Sequence, residues 1–359
     1  MGKNRAILPC LSALLALGCG GNAVDLGHGR DNQGWSDAPA QDASSSTPQT
    51  IYDSDLPLLG FALDGPTLYA LVNRAPSFDL ISCPLERCRS QRTTLYSSPK
   101  MDDGKTQVNG GTTLVVAGDR VFWLSGTDLM ACPKTGCTDP QRVSSVQGFN
   151  GFAADAATLY WLDGSKAVQR LQPNTDVPEQ VRGPIAEIRD PDHLVVGGDY
   201  LYISDPGADL PNIHRVRKDG TGEAELVVED EAISGLCAIG DSIYYPSKIL
   251  LGRCVGCAPD DCAKSAVTLA NNQRWPMELR VSGDEAFWLT KTPTSDHPSH
   301  SSISSCRLPE CSSVDIRVAD FYVSDYQYHP HFAVGPGSLI WLEPRLAAQI
   351  GSSLRRLAR

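Results

Sequence analysis

The sequence carries none of the short motifs that mark the common enzyme classes. It has no G-x-S-x-G nucleophile elbow, no H-E-x-x-H zinc helix and no G-x4-G-K-[ST] phosphate loop. Basic residues are outnumbered, 31 Lys and Arg against 42 Asp and Glu, giving a net charge of −11. Phosphate binding needs a basic surface, so nucleic acid is excluded as a partner. No segment beyond the N-terminus reaches 18 consecutive apolar residues, which leaves no candidate for a transmembrane helix. Long helices also find little support. The chain holds 32 Gly and 25 Pro in 359 residues, a composition that favours short strands and turns.

The first 18 residues form a targeting segment. Lys3 and Arg5 supply a positive start, and Ala6 to Leu17 is mostly apolar but too short to span a bilayer. It ends at Ala16-Leu17-Gly18-Cys19. Here the chain resembles a bacterial lipoprotein signal, in which a small residue precedes a Cys that becomes lipidated. That resemblance implies lipidation of Cys19 and, with Gly20 next, an outer-membrane location facing the periplasm or the cell surface. The expected membrane contact is therefore an acyl anchor. Residues 19–49 are rich in Gly, Ser, Asp, Gln and Ala and read as a flexible tether.

From residue 50 to 359 a unit repeats. Its clearest mark is a branched or aromatic triplet, often after Gly-Asp: Leu68-Tyr69-Ala70, Val121-Phe122-Trp123, Leu159-Tyr160-Trp161, Leu201-Tyr202-Ile203, Ile243-Tyr244-Tyr245, Ala286-Phe287-Trp288 and Leu339-Ile340-Trp341. The central residues lie 38 to 53 positions apart, the period of propeller blades. Four of the six Trp occupy the third position of a triplet, a regularity that chance does not produce. Each unit holds four strand-sized runs, as in Thr113–Ala117, Arg120–Leu124, Asp128–Cys132 and Gln141–Val146. Four antiparallel strands make one blade. The expectation is an all-β propeller of seven blades, with six blades and one irregular copy as the alternative count. The last copy has only three strands, so Thr50–Leu56 is expected to supply its fourth and close the ring, leaving no long edge.

The stretch Leu159-Tyr160-Trp161-Leu162-Asp163 resembles the core of YWTD-type propellers. Ile213-His214-Arg215-Val216-Arg217-Lys218-Asp219-Gly220 is similar to the I-x-R-x-x-x-D-G that follows in that class. The resemblance implies the fold and carries no ligand, since propellers host many unrelated functions.

Ten of the twelve Cys fall in the repeats. Cys83/Cys88, Cys132/Cys137, Cys257/Cys262 and Cys306/Cys311 share a C-x4-C spacing. In an exported chain that pattern predicts disulfides closing the loop after the third strand. Cys237 and Cys254 are left to each other, unless Cys254 is the counterpart of Cys132; sequence leaves the connectivity among Cys237, Cys254, Cys257 and Cys262 open. The rival is zinc at Cys254-x2-Cys257, which lacks a second ligand pair.

Four His cluster late: His297 and His300 between strands two and three of blade six, His329 and His331 before blade seven. Propeller topology places both pairs on one face, where Asp296 and Asp325 would complete a metal site. The same rim carries Arg274, Trp275, Phe149 and Tyr326, residue types suited to recognition. The primary expectation is a non-catalytic envelope lipoprotein without a cofactor, offering this rim to a protein or glycan. The alternative is an extracytoplasmic metal-dependent enzyme built on the loop histidines.

Overall fold

The computed structural model describes residues 47–358, apart from 75, 100–113, 127, 146–150, 156–157, 173–174, 208, 231–232, 234, 241, 248–251, 293–298, 310, 324–331, 336 and 345–351. Strand β1 (Gln49–Ser54) precedes six complete antiparallel sheets. Blade 1 is β2 (Leu58–Asp64), β3 (Thr67–Arg74), β4 (Ser77–Pro84) and β5 (Thr93–Ser97). Blade 2 is β6 (Leu114–Ala117), β7 (Arg120–Ser125), β8 (Asp128–Pro133) and β9 (Gln141–Ser145). Blade 3 is β10 (Phe152–Ala154), β11 (Leu159–Leu162), β12 (Val168–Leu171) and β13 (Glu179–Arg182). Blade 4 is β14 (His193–Gly197), β15 (Tyr200–Asp205), β16 (Asn212–Arg217) and β17 (Glu225–Glu229). Blade 5 is β18 (Cys237–Ile239), β19 (Ser242–Ser247), β20 (Gly252–Cys257) and β21 (Val267–Gln273). Blade 6 is β22 (Pro276–Ser282), β23 (Glu285–Thr292), β24 (Ser299–Arg307) and β25 (Asp315–Val323). Blade 7 is β26 (Phe332–Gly335), β27 (Ser338–Pro344) and β28 (Ser352–Ala358), completed by β1. The chain is a seven-bladed β-propeller.

The first strands of successive blades neighbour one another around the ring, and β26 returns to β2. Closure runs through the outer strand: β1 pairs antiparallel with β28, from Gln49 opposite Arg356 to Ser54 opposite Ser352, with one irregularity between Thr50 and Tyr52. The orphan strand expected from the sequence is therefore where the repeat count required it.

A single four-stranded sheet cannot bury both faces, and the ring solves this by stacking. Seven clusters of buried side chains lie between blades, one at each interface. Trp123, Trp161, Trp288 and Trp341 are among the largest fully buried side chains, which explains their fixed place in the triplet. Charged side chains tie adjacent blades outside these layers. Arg120 donates to Asp176 Oδ1 (3.1 Å) and to the Gln172 and Thr175 carbonyls of blade 3. Arg215 reaches Asp260 of blade 5 at 2.6 Å, and Arg356 reaches Glu86 of blade 1 at 2.7 Å. Lys134 and Lys218 point back to Asp64 and Asp155 of the preceding blades.

Turns between first and second strands are tight. Gly240 and Gly283 take φ of 55° and 63° with open space where a Cβ would stand, so backbone conformation rather than crowding requires glycine there. Disulfides close Cys83–Cys88, Cys132–Cys137, Cys257–Cys262 and Cys306–Cys311, with Cα separations of 4.8, 5.7, 5.0 and 5.0 Å. In all four blades the first Cys sits opposite the first triplet residue: Leu68, Val121, Ile243 and Ala286. That shared register makes Cys257, not Cys254, the counterpart of Cys132. Cys237 is disulfide-bonded, but Cys254 is a buried free thiol, so no bridge joins these two. The reason is the sheet itself. Cys237 on β18 and Cys254 on β20 flank β19, and strands two apart are separated by about 9.6 Å, beyond disulfide reach. The expectation of Cys254 as a disulfide residue is corrected accordingly.

Candidate functional site

Antiparallel connectivity gives the ring two unlike faces. One holds the two-residue glycine turns and the disulfide-closed loops after the third strands. The other holds the hairpins between second and third strands and the connectors between blades, including 183–192. The first face is short and stapled, while the second carries the longest and most varied segments.

On this second face, blade 6 holds the expected rim residues Arg274 and Trp275 in the connector from β21 to β22. The backbone is contorted from the end of β21 through this connector into β22: Asn272, Trp275 and Glu278 have φ of 56°, 40° and 30°, each costing about 1–3 kcal/mol for a non-glycine residue. It is held because Lys291 N–H donates to the carbonyls of both Arg274 (3.2 Å) and Trp275 (3.3 Å). Trp288 Nε1 adds a bond to Gln273 Oε1 at 2.8 Å. Lys291 and Thr292 end β23, and His300 pairs with Thr292 across the hairpin. Arg274, Trp275 and His300 thus share one end of blade 6. His297, His329, His331, Tyr326, Phe149, Asp296, Asp325 and the lipidation residue Cys19 lie outside the described residues. Among the described residues, no three His, Cys, Asp or Glu side chains converge as a metal centre.

Blade 4 holds polar groups that sequence reading passed over. His193 Nδ1 lies 2.9 Å from Asp192 Oδ2 and 3.3 Å from Ser204 Oγ, all three buried. This is not a hydrolytic triad. The carboxylate and the hydroxyl share one ring nitrogen, whereas a relay needs them on opposite ones. Ser204 Oγ also accepts the His193 backbone N–H at 3.1 Å, so the cluster fixes the start of β14. On the other side of the same sheet, Asp205 accepts the backbone N–H groups of Arg189 (2.6 Å) and Asp190 (2.9 Å), clamping the connector from blade 3. In blade 6, Glu278 and Arg280 are buried on the innermost strand, 3.4 Å apart, with the guanidinium over the Phe332 ring of blade 7. Burial draws the Arg280 pKa below its usual value, and Glu278 opposes that shift. The overlooked signal was charge in strands that alternation assigns to the core: Asp192-His193 opening β14 and Glu278-x-Arg280 inside β22.

A shallow cleft of about 620 Å³ lies on the opposite, stapled face between blades 2 and 3, lined by Asp119, Arg120, Thr138, Asp139 and Asp176. Its one cation, Arg120, is consumed by the tie between blades described above.

The sequence matches no family model and no curated protein. Solved structures do resemble the fold. An oligogalacturonate lyase in complex with manganese superposes with a TM-score of 0.61 at 12% identity, covering 89% of this chain and 95% of that one. An oligogalacturonate lyase from Vibrio parahaemolyticus gives 0.59 at 12% identity, covering 89% and 98%. The computationally designed Ika8 protein gives 0.50 at 9% identity, covering 86% and 98%. At these identities the likeness establishes the propeller fold and no chemistry. The class is thereby set: a seven-bladed propeller with one stapled face and one variable face.

Proposed function

We propose that this chain is a non-catalytic binding propeller of the cell envelope, anchored at the outer membrane by an acylated Cys19 and offering its variable face to a protein or glycan. The observation that carries this reading is the asymmetry of the two faces. A rigid ring with varied loops on one side is the arrangement by which scaffolds present recognition surfaces. Arg274 and Trp275, held on a braced connector, are residue types that anchor interfaces. Among the described residues no helix is long and apolar enough to cross a membrane, which accords with attachment by lipid.

The test is photo-crosslinking in intact cells with a photoreactive amino acid at position 274 or, on the stapled face, at 284. Discrete adducts from position 274 alone are expected. Equal adducts from both positions, or none from 274, refute the reading. Labelling with a fatty-acid analogue, lost in Cys19→Ser, tests the anchor. The alternative of a metal-dependent enzyme draws on the loop histidines and on the manganese present in one similar propeller. Stoichiometric metal in the purified full chain, lost on His300→Ala, is what it requires.

A further inference from the structure

Two acceptors on blade 4 stand buried without a partner. Asn212 is 8% exposed and His214 is 5% exposed, and neither Asn212 Oδ1 nor His214 Nδ1 has a hydrogen bond. A buried polar atom left unpaired costs about 1–3 kcal/mol, so such a pair calls for a reason. Their placement supplies one. Asp205, Asn212 and Glu229 are lateral neighbours across β15, β16 and β17, and therefore point to one side of the sheet. His214, two residues along from Asn212, points to the same side, toward blade 3. The connector 183–192 passes over this corner, with Ile185 and Ile188 buried beneath it and Asp205 holding its backbone. It carries Glu187, exposed, as Glu229 is.

The carboxylates of Glu187, Asp205 and Glu229 all act electrostatically on His214. Burial nevertheless holds its imidazole below the ordinary histidine value, which favours the neutral ring. With the proton on Nε2, Nδ1 offers a lone pair. Two cations of this region have other partners: Arg189 lies 3.0 Å from Asp209 on the exposed rim, and Lys166 Nζ donates to the Ile188 carbonyl at 2.7 Å. The 206–211 loop adds Leu210, an exposed apolar side chain whose carbonyl accepts from Asn212 Nδ2 at 3.3 Å.

We propose that this corner receives an arginine side chain of a protein partner, with the guanidinium seated on Asn212 Oδ1 and His214 Nδ1 between the carboxylates of Glu187 and Glu229. Every group in the set accepts, and separate acceptors in two directions suit a planar fork of five N–H donors better than the compact ammonium of lysine. Leu210, exposed and joined to Asn212 through its carbonyl, offers an apolar side chain to the aliphatic stem of such a residue. The site rests on the partner-binding reading above and narrows it to a protein with an exposed arginine.

The probe is n-butylguanidinium, with n-butylurea as its neutral isostere. Each is titrated into the full chain labelled on its histidine rings, with His214→Gln identifying the His214 signals. The expected result is a saturable shift of those signals, largest at Nδ1 as its lone pair takes up a hydrogen bond, by the cation alone. Glu187→Gln with Glu229→Gln, both exposed positions, should weaken it about tenfold or more. No saturable shift, an equal shift with butylurea, or an unchanged affinity in the double variant overturns the proposal and leaves the two acceptors a role inside the fold only. Crosslinking at position 274 fails or succeeds independently. Adducts there without a shift here keep the binding face and remove the arginine site. A shift here without adducts keeps the site and removes the blade 6 rim.

Discussion

Closing the ring with a strand from the other end of the chain makes β1 a test of the whole architecture. Tyr52 is 3% exposed and packs with Ile51, Leu58, Leu342 and Leu354 at the interface of blades 7 and 1. Its hydroxyl also accepts from Arg92 of blade 1 at 3.4 Å. Replacing a large buried aromatic by alanine removes its transfer free energy and leaves a cavity, together about 3–5 kcal/mol. At about 2 °C per kcal/mol for a domain of this size, Tyr52→Ala should lower Tm by roughly 6–10 °C. Ser353→Ala on the facing strand is the control. Its hydroxyl donates to Asp53 Oδ1 at 2.7 Å in an exposed position, so its loss should cost less than about 0.5 kcal/mol. Calorimetry reads both. Hydrogen exchange should show β28 amides losing protection in Tyr52→Ala, because β1 covers that edge. A Tyr52→Ala protein melting within about 1 °C of wild type would refute closure through β1.

Two further outcomes follow from burial. Cys254 should resist alkylation in the folded chain and react in urea, as peptide mass mapping would show, because burial raises its thiol pKa well above the usual value and excludes the reagent. Tyr160, buried beside Asp155, has its phenol pushed up to about 12. Its protonated form is thus favoured in the fold, so its share of stability is full below pH 10 and is lost as pH rises from 10 through 12. Tyr160→Phe should flatten the fall of Tm across that window, and an unchanged alkaline slope would count against it.

Much of the architecture was legible because a blade repeats its physics. The triplet names the second strand, its Trp marks the interface between blades, and the missing strand of the last copy pointed to residues near Thr50. The C-x4-C pairs were legible for the same reason, since one register recurs in four blades. Cys254 was not, because its place depends on which strands separate it from Cys237, a lateral relation that linear spacing does not contain. The blade 4 acceptors were hidden for a related reason. Asp205, Asn212 and Glu229 are distant in sequence and meet only through strand pairing. The left-handed backbone around Arg274 and Trp275 was not legible either, since neither Trp275 nor Glu278 is a residue type that announces positive φ.

The unlike faces also bear on how such a protein can diversify. On one side, glycine turns and four disulfides set loop length, so an added residue there would disturb strand register or a covalent ring. On the other, connectors such as 183–192 join strands whose pairing does not depend on how long the path between them is. Loop closure grows costlier only slowly with length, about 0.6 kcal/mol per doubling. Insertions, deletions and grafted segments can therefore accumulate on that side while the seven buried layers stay as they are, and a single ring can give rise to a lineage of surfaces.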